Sequence, residues 1–422
     1  MKKKVLTLFI VCLLFTGNIF SSGFQINENG ARAFAMAGAF TGLANDPSAI
    51  YFNPAGITQL DGTQFYAGAT MIMPSFSFTG PTPSTNKTDM TSQVFFPINF
   101  YVTQKINDRL SVGLGINNQF GLSTKWDPSW VGSHLAVETS ITTFFFTPVI
   151  AYKVLDNLSI SAGATIATGN VTISTMNNGA APVLPNFLLT LESKTTTAVG
   201  FTAAVLYKPI DKIQIGACFR SQSKFNFTGT ATSNPATFPY QIAPGQYMQL
   251  AYPTGDISAP FKTPADLTVG VAIMPNDKWT ITADYQWVGW SSYDSLKVSF
   301  GTYKTPGSNT LLSKSYPRLY QDTYILRLGT EYKATNVLAL RAGFFYDKNP
   351  VQDTYVEPEL PDADRIGFNI GAGYNFTSKL RVDLGYMLCL FSDRTISNSY
   401  FGLNGTYTHI AHLIALDLGY NL

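Results

Sequence analysis

From about residue 62 onward, the chain alternates between apolar residues and small or polar ones, in segments of about ten residues. RLSVGLGIN (109–117) is one such segment, and KWTITADYQW (278–287) and RIGFNIGAGYNF (365–376) are others. Because successive side chains of a strand point to opposite faces, each segment predicts a strand with one apolar face and one small or polar face.

The small and polar face decides which side of these strands points inward. In a soluble sandwich the apolar faces form the core, whereas in an outer-membrane barrel they face lipid and the lumen is polar. Glycine, serine, threonine and asparagine are too small and polar to fill a second core. Aromatic residues fall near the strand ends, as in the interfacial girdles of barrels. Both features favour the barrel.

Short turns and long loops alternate along the chain. KINDRL (105–110) and KVLDNL (153–158) are typical turns, and long polar loops connect one pair of strands to the next. This rhythm is that of bacterial barrels, with periplasmic turns and extracellular loops. The sequence therefore predicts an all-β fold, a transmembrane antiparallel β-barrel over 62–422 with about fourteen strands. The predicted strands are 62–73, 93–105, 109–119, 139–154, 157–168, 192–208, 212–225, 264–274, 277–289, 322–333, 336–346, 364–376, 379–391 and 407–422.

Residues 22–61 do not alternate, and they predict a small helical unit in front of the barrel. NENGARAFAMAGAF (27–40) is rich in alanine and predicts a short helix. A second helix is expected at NPAGITQL (53–60), because Asn53 suits the N-cap and Pro54 suits the first helical position. A barrel of this strand number has room in its lumen for a small plug of this kind.

The first residues predict a secretory signal peptide, 1–21. Lys2–Lys4 precede an apolar stretch that runs to Phe15, and a cut after Ser21 or Ser22 would follow. No later run of roughly 18 apolar residues predicts a transmembrane helix. The mean hydropathy of +0.07 and the charged share of 13%, about half the usual value, suit strands of mixed character.

Charge and reactive residues exclude several function classes. Without Lys2–Lys4 the 28 basic residues fall to 25, against 26 acidic ones, which gives no case for nucleic-acid binding. Cys218 and Cys389 stand alone, and no Cys/His spacing suits a metal ion. No nucleophile, base and orienting group form a set, so the sequence predicts no enzyme, no cofactor and no metal site.

Three stretches carry a resemblance to a known family: SGFQINENGARAFAMAGAF (22–40), ANDPSAIYFNPAGITQL (44–60) and FGLSTKWDPSWVGSHLAVET (120–139). They resemble the FadL family of outer-membrane long-chain fatty acid transporters, of the OmpP1/FadL/TodX type, which also includes aromatic-hydrocarbon transporters. The first stretch matches the Gly-Phe-Gln N-terminus of the family. The second carries its hatch motif, here Asn53-Pro54-Ala55, and the third matches the segment after the third strand.

The resemblance implies a fold and a route. The expected protein is a monomeric fourteen-stranded barrel in the outer membrane of a Gram-negative cell, plugged by an N-terminal hatch at 22–61. A hydrophobic small molecule, a fatty acid or a hydrocarbon, would bind among the third and fourth extracellular loops and pass to a pocket beside the N-terminal residues. Passive exit would follow through a lateral gap at a kink in the third strand. Outer-membrane lipid is the expected surrounding, with lipid or detergent in the lumen.

Five residues are the candidate ligand contacts. Phe24 is implied by the resemblance, because the family's N-terminal segment borders the pocket. Strand parity places Arg220, Arg327 and Arg341 on the inner face, where a guanidinium can bind a carboxylate. Each arginine can instead belong to a structural charge network. Phe345 faces inward too, and it lines a pocket for the ligand tail or packs against the hatch.

Two further predictions concern the third strand and the loops. Gly113 and Gly115 permit a kink in the third strand, a role that rests mainly on the resemblance. The third and fourth loops, 169–191 and 226–263, are rich in apolar residues, among them Val183, Leu184 and Phe187. These residues form either a greasy binding surface or a lid in which the loops pack on each other.

Two other functions remain open at this stage. One is an aromatic-hydrocarbon channel of the same family. The other is a general porin or an adhesin-type barrel whose loops carry the function. A hydrophilic porin would lack the hatch, and no segment of this chain suggests coupling to an energy source, so diffusion is the expected mode.

Overall fold

The computed structural model describes residues 23–177, 186–304 and 309–422. Fourteen antiparallel strands form a closed barrel, which confirms the predicted fold. In chain order, β1–β14 are Thr63–Thr79, Ile98–Lys105, Leu110–Asn117, Glu138–Leu155, Leu158–Asn177, Thr196–Ile210, Ile213–Arg220, Asp266–Ile273, Trp279–Val288, Thr323–Lys333, Leu338–Asp347, Arg365–Asn375, Leu380–Phe391 and Gly405–Asn421. The predicted signal peptide, 1–21, lies outside the described residues, as do Val183 and Leu184.

The last strand closes the barrel on the first. The β1–β14 ladder runs without a shift from Gln64 opposite Asn421 to Thr79 opposite Thr406. Every predicted strand overlaps one of the fourteen. The sequence did not predict the further strands on the extracellular side, because their loops were expected to be irregular. These are Lys87–Asp89, Gly121–Lys125, Phe187–Ser193, Lys224–Asn234, Thr237–Ala243, Gln246–Ala251, Gly255–Lys262, Ser295–Lys304, Leu311–Pro317 and Arg394–Ile396.

The two faces of the barrel differ as the alternation predicted. Val199, Leu328 and Ile370 in mid-strand are exposed on the outside, whereas Thr202 and Asn369 are buried on the inside. A belt of exposed apolar side chains around polar inner walls is the arrangement of a barrel solvated by lipid. Among the described residues, no helix is long and apolar enough to span a membrane.

The lumen holds the N-terminal residues. We call residues 23–61 the hatch; it contains α1 (Ala31–Ala35), α2 (Ala49–Phe52) and a 3₁₀ helix, Pro54–Gln59. All residues of both α-helices are buried, although each helix is too short to be stable alone. Their packing against the barrel wall therefore supplies their stability. Two more 3₁₀ helices, Trp290–Ser292 and Asp353–Tyr355, lie in the extracellular loops.

Candidate functional site

The Asn53-Pro54-Ala55 motif fixes one end of the hatch to the wall. The Asn53 side-chain oxygen accepts a hydrogen bond from the Ala55 amide at 3.1 Å, so it caps the 3₁₀ helix as the sequence indicated. Its side-chain amide donates to the carbonyls of Thr41 (2.9 Å) and Val205 of β6 (3.0 Å). Asn53 thus joins two hatch segments and the barrel, and the motif does not line the cavities described below.

Wall carboxylates also bind backbone amides of the hatch. Asp417 of β14 accepts from the Ala31 amide at 2.5 Å. Asp284 of β9 accepts from the amides of Phe40 (3.1 Å) and Thr41 (2.9 Å). These two buried side chains attach the hatch to the wall at two places, at the start of α1 and at Phe40–Thr41.

A buried ion network adds to this attachment. Arg32 of α1 forms two hydrogen bonds of 2.9 Å with Glu331 of β10 and lies 3.2 Å from Asp46. Burial alone would lower the pKa of Arg32, but the charges of Glu331 and Asp46 outweigh it and raise that pKa above its usual range. The guanidinium stays charged, and its removal from Glu331 would leave an unpaired charge in the lumen.

Two of the predicted ligand arginines belong to such networks. Arg220 makes two hydrogen bonds to Asp266 of β8, at 2.8 and 3.0 Å, and its guanidinium lies over the Tyr51 ring. Arg341 binds Glu331 (2.6 Å) and Asp383 (2.7 Å). Neither residue lines the large cavity, and the charges of both are neutralised by carboxylates. These contacts favour the structural charge network for Arg220 and Arg341, and their ligand role stays a prediction.

Tyr51 of the hatch lies beside Arg220 and is buried. Burial raises the pKa of Tyr51 to about 12, and the nearby charge of Arg220 opposes the rise. The phenol is therefore neutral at any physiological pH, and it presents its ring to the Arg220 cation.

The ligand-sized space lies above the hatch. An inner cavity of about 390 Å³ is bounded by the first hatch residues and by β1, β4, β13 and β14. Its lining is mostly apolar, including Ile72, Phe76, Phe120, Phe345, Met387 and Leu413. A volume of this order with an apolar lining is typical of a small-molecule site.

A second, outer cavity lies among the extracellular loops. It measures about 80 Å³, and its walls include Leu191, Phe227, Ile257, Phe261, Val298 and Tyr320. These residues come from the third and fourth loops and from the fifth loop, 289–322; the sixth loop, 348–364, lies beside them. The outer cavity is the apolar space nearest to the predicted loop-binding surface.

Phe24 stands between the two cavities. It lines both of them, together with Leu360 of the sixth loop. Its ring packs on Trp290 and Phe261, with ring centres 4.9 and 5.7 Å apart, and it is 6% exposed. Phe24, the residue that the resemblance implies as a ligand contact, therefore lies at the boundary between the two apolar cavities.

The wall beside the inner cavity is interrupted. The β2–β3 ladder ends at Asn99 opposite Asn117, and the next three residues, 118–120, face only two residues of β4. Pro97 directly precedes β2, and it has no amide hydrogen with which the β2–β3 ladder could continue beyond Ile98. Phe96 and Ile98, exposed on the outer face, also line the inner cavity. We call the opening between 93–97 and 118–123 the wall gap.

The position of this interruption corrects the predicted kink at Gly113 and Gly115. Both glycines pair regularly with β2 and β4. Their missing side chains make room for the hatch, because a Cβ at Gly113 or Gly115 would lie 2.7 or 2.8 Å from Ile50. The glycines therefore accommodate α2, and the strand is interrupted at Asn118–Phe120 instead.

The hatch completes the hydrogen bonding of the interrupted strand. The Ile26 amide donates to the Gln119 carbonyl at 2.8 Å, and the Gly121 amide donates to the Phe24 carbonyl at 3.1 Å. The Asn118 side chain bonds the Ile98 amide at 2.8 Å. The first residues of the hatch are thus part of the wall at the gap, so their position and the state of the gap are physically linked.

The other two predicted contacts meet in a small side chamber of about 20 Å³ below the inner cavity. Arg327 is 6% exposed and lines the chamber, and within the described part of the chain its guanidinium makes no ion pair or hydrogen bond. Phe345 lines both the chamber and the inner cavity. Of the three predicted arginines, Arg327 is the one whose charge is not neutralised by a contacting carboxylate.

Several residues of the site were not predicted from the sequence. Glu28 lines both the inner cavity and the side chamber. Burial raises the pKa of the Glu28 carboxyl, and the charge of Arg365 opposes that rise. Leu360 and Asp362 of the sixth loop enter the barrel, and Asp362 accepts a hydrogen bond from the Gly23 amide at 2.9 Å. The available signals were an isolated acid between Asn27 and Asn29, and a long loop with its own apolar residues.

The third and fourth loops combine both predicted roles. Phe187, Phe238 and Tyr252 pack together, with ring centres of Phe187 and Tyr252 only 3.8 Å apart, which is the lid arrangement. Tyr247 and Met248 at the tip of the fourth loop are exposed. Most of the apolar loop residues therefore stabilise the loops, and part of their inner surface lines the outer cavity.

Comparison with known sequences gives a family match over nearly the whole chain. The model of the family described as outer membrane protein transport protein (OMPP1/FadL/TodX) matches residues 12–422. A long-chain fatty acid transport protein of Salmonella typhi is 26% identical over 392 residues, which cover 86% of this chain and 86% of that protein.

Solved structures share the architecture. A Pseudomonas aeruginosa FadL homologue has a TM-score of 0.80 at 23% identity, covering 95% of this chain and all of that one, 100%. The Pseudomonas putida toluene transporter TodX has a TM-score of 0.74 at 18% identity, covering 96% and 100%. At these identities the likeness shows the fold alone.

Proposed function

The chain belongs to the OMPP1/FadL/TodX family of outer membrane transport proteins, and from this premise we propose that it takes up long-chain fatty acids by passive diffusion. The family consists of outer-membrane transport channels for hydrophobic molecules, not of enzymes. The observation that carries the choice of substrate is the apolar inner cavity with the unpaired guanidinium of Arg327 close beneath it. The name of the relative from Salmonella typhi supports the same class of ligand.

The route follows the two cavities and the wall gap. A fatty acid enters the outer cavity from the loops, passes Phe24 and Leu360, and occupies the inner cavity with its carboxylate toward Arg327. It then leaves sideways through the wall gap into the lipid of the outer membrane. Support for lateral exit comes from Phe96 and Ile98, which belong both to the lipid-facing surface and to the lining of the inner cavity.

Release requires movement of only the first residues of the hatch. Residues 31–60 are attached to the wall through Arg32, Asn53 and the carboxylates that bind the hatch amides. Residues 23–28 are held by fewer bonds, chiefly those to Gln119, Gly121 and Asp362. We assign the gating movement to residues 23–28, in a barrel that acts as a monomer.

Equilibrium binding in detergent tests this proposal. The purified protein should bind a long-chain fatty acid, and Phe24→Ala should weaken binding about tenfold, because about 1.4 kcal/mol of apolar contact is lost. The melting temperature of the barrel should stay close to that of the wild type, because the ladders between the fourteen strands form without the Phe24 side chain and the substitution keeps the backbone hydrogen bond to Gly121. Tyr400→Ala, a change at an exposed aromatic residue of the last loop, is the matched control.

The same assay separates the two candidate ligand classes. If toluene binds in the inner cavity and the fatty acid does not, the protein is an aromatic-hydrocarbon channel of the family. Equal affinity of wild type and Phe24→Ala for both ligands would remove Phe24 from the route.

A further inference from the structure

The side chamber below the inner cavity is lined by four charged residues, of which two form an ion pair. Arg327 and Arg365 supply two cations, and Asp347 and Glu28 supply two carboxylates. Arg365 is bound to Asp347 at 2.7 Å. Within the described residues, the Arg327 guanidinium has no hydrogen-bonded or ion-paired partner, and the Glu28 carboxyl has no ion-paired side chain; the hydrogen bonds that this carboxyl accepts come from the backbone amides of Asn27 and Glu28. Arg327 and Glu28 therefore line the same chamber without forming an ion pair.

The charged form of Glu28 is less stable in this chamber than in water. Its carboxyl is buried, which disfavours the charged form, and the raised pKa reports that the carboxylate is less stable here than in water. Transfer of Glu28 to water would recover this free energy. When Glu28 leaves, the position for an anion beside Arg327, under the inner cavity, is vacant.

The backbone around Glu28 is the part of the hatch that closes the wall gap. Ile26 pairs with Gln119 of the interrupted strand, and Gly23 bonds Asp362 of the sixth loop. The Glu28 carbonyl accepts only a long hydrogen bond, 3.4 Å, from Thr70 of β1. Glu28 therefore belongs to the same short segment, 23–28, that closes the wall gap.

We propose that Glu28 occupies the position of a ligand carboxylate, and that a bound acid displaces it and thereby releases residues 23–28 from the wall gap. The inference rests on the proposed uptake of fatty acids and adds to it a link between recognition and gating. The acid brings its own carboxylate to Arg327 and buries its chain in the inner cavity, so apolar burial offsets the loss of Glu28 from the site.

The consequence is a difference between acids and neutral ligands. A long-chain alcohol fills the inner cavity but brings no anion, so Glu28 stays in the chamber and residues 23–28 stay on the wall. An acid of the same chain length should open the N-terminal residues. The channel would thus respond to the chemical class of its ligand and not only to its size.

Hydrogen exchange of the intact wild-type chain in detergent tests this directly. The probes are a saturated long-chain acid and the primary alcohol of the same length, each at saturation. The acid should speed exchange of the amides in 23–28, including that of Ile26, whereas the alcohol should not. The Ala44 amide, bonded to the Phe40 carbonyl at 2.8 Å, is the internal control and should not change with either.

Two variants complete the test. Glu28→Gln should raise affinity for the acid roughly fivefold or more, the lower range of typical coupling between competing ligands, and leave the alcohol unchanged. Arg327→Gln should lower affinity for the acid and abolish the difference in exchange. Asp61→Asn, which removes an exposed carboxylate paired with Lys105 at the end of the hatch, should alter neither ligand.

Failure of this inference can be told apart from failure of the proposed function. Equal exchange in 23–28 with acid and alcohol, while both bind in a Phe24-dependent manner, would overturn the role of Glu28 and leave uptake intact. An unchanged acid affinity in Glu28→Gln would do the same. Absence of fatty acid binding to the wild-type protein would overturn the proposed function itself.

Discussion

At the scale of single residues, ion pairing distinguishes the arginines that attach the hatch from Arg327. Arg220 and Arg341 each contact a carboxylate, whereas no carboxylate of the described residues contacts Arg327. Strand parity predicted all three as inward-facing, which is correct. It could not rank them, because the partner of Arg220 lies 46 residues away on another strand.

The central residue of the hatch network is Glu331, which binds both Arg32 and Arg341. Glu331→Gln removes the buried carboxylate that neutralises both cations. Loss of one partner of a buried ion pair lowers stability by about 3–5 kcal/mol. We expect amides in 31–46 to exchange roughly a hundredfold faster, with the strand ladders unaffected. Hydrogen exchange with mass spectrometry measures this.

Glu138→Gln is the control for that experiment. Glu138 pairs with Lys125 at 3.2 Å on the exposed part of the barrel, where an ion pair contributes about 0–1 kcal/mol. If both substitutions loosen the hatch equally, the buried network is not what attaches it.

At the scale of elements, the strands follow from local pattern and the site does not. Alternation of side chains is a property of each segment, so all fourteen strands were predicted, although β5 continues nine residues beyond its predicted end at 168 and β1 six residues beyond 73. The roles of Gly113, Gly115 and Pro97 depend on what lies across the lumen or on the next strand. The sequence predicts a kink at the glycines because glycine permits one. The interruption occurs instead where Pro97 has no amide hydrogen to donate and where three residues of the chain, 118–120, face only two residues of β4.

The fit of α2 against β3 can be tested by a pair of substitutions. Gly115→Val places methyl groups where a Cβ alone would already lie 2.8 Å from Ile50 and 3.1 Å from Tyr101, so it should destabilise the protein by about 1–3 kcal/mol. In an Ile50→Ala background the same change should cost much less, because the space is vacated. A double-mutant cycle on thermal unfolding measures the coupling. The same cost in both backgrounds would show that Gly115 does not accommodate α2.

At the scale of the whole molecule, the barrel is a fixed wall around a plug with one loosely attached end. The inner cavity reaches the outer surface at the wall gap, and residues 24–26 complete the interrupted strand there. The residues that close the gap thus also line the inner cavity. If residues 23–28 move as proposed, the gap opens while the rest of the hatch stays attached, so that a hydrophobic molecule leaves sideways and polar solutes stay excluded.

Deletion of Gln119 tests whether the ligand leaves the barrel through the wall gap. Without Gln119, two residues remain between Asn117 and Gly121, and they face two residues of β4. The strand β3 can then continue in register to Gly121 and close the gap. The measurement is the initial rate of uptake of a labelled long-chain fatty acid by intact cells with equal amounts of folded barrel. The account predicts a rate no higher than that of cells without the protein, with fatty acid binding in detergent retained. Uptake at the wild-type rate would contradict lateral exit.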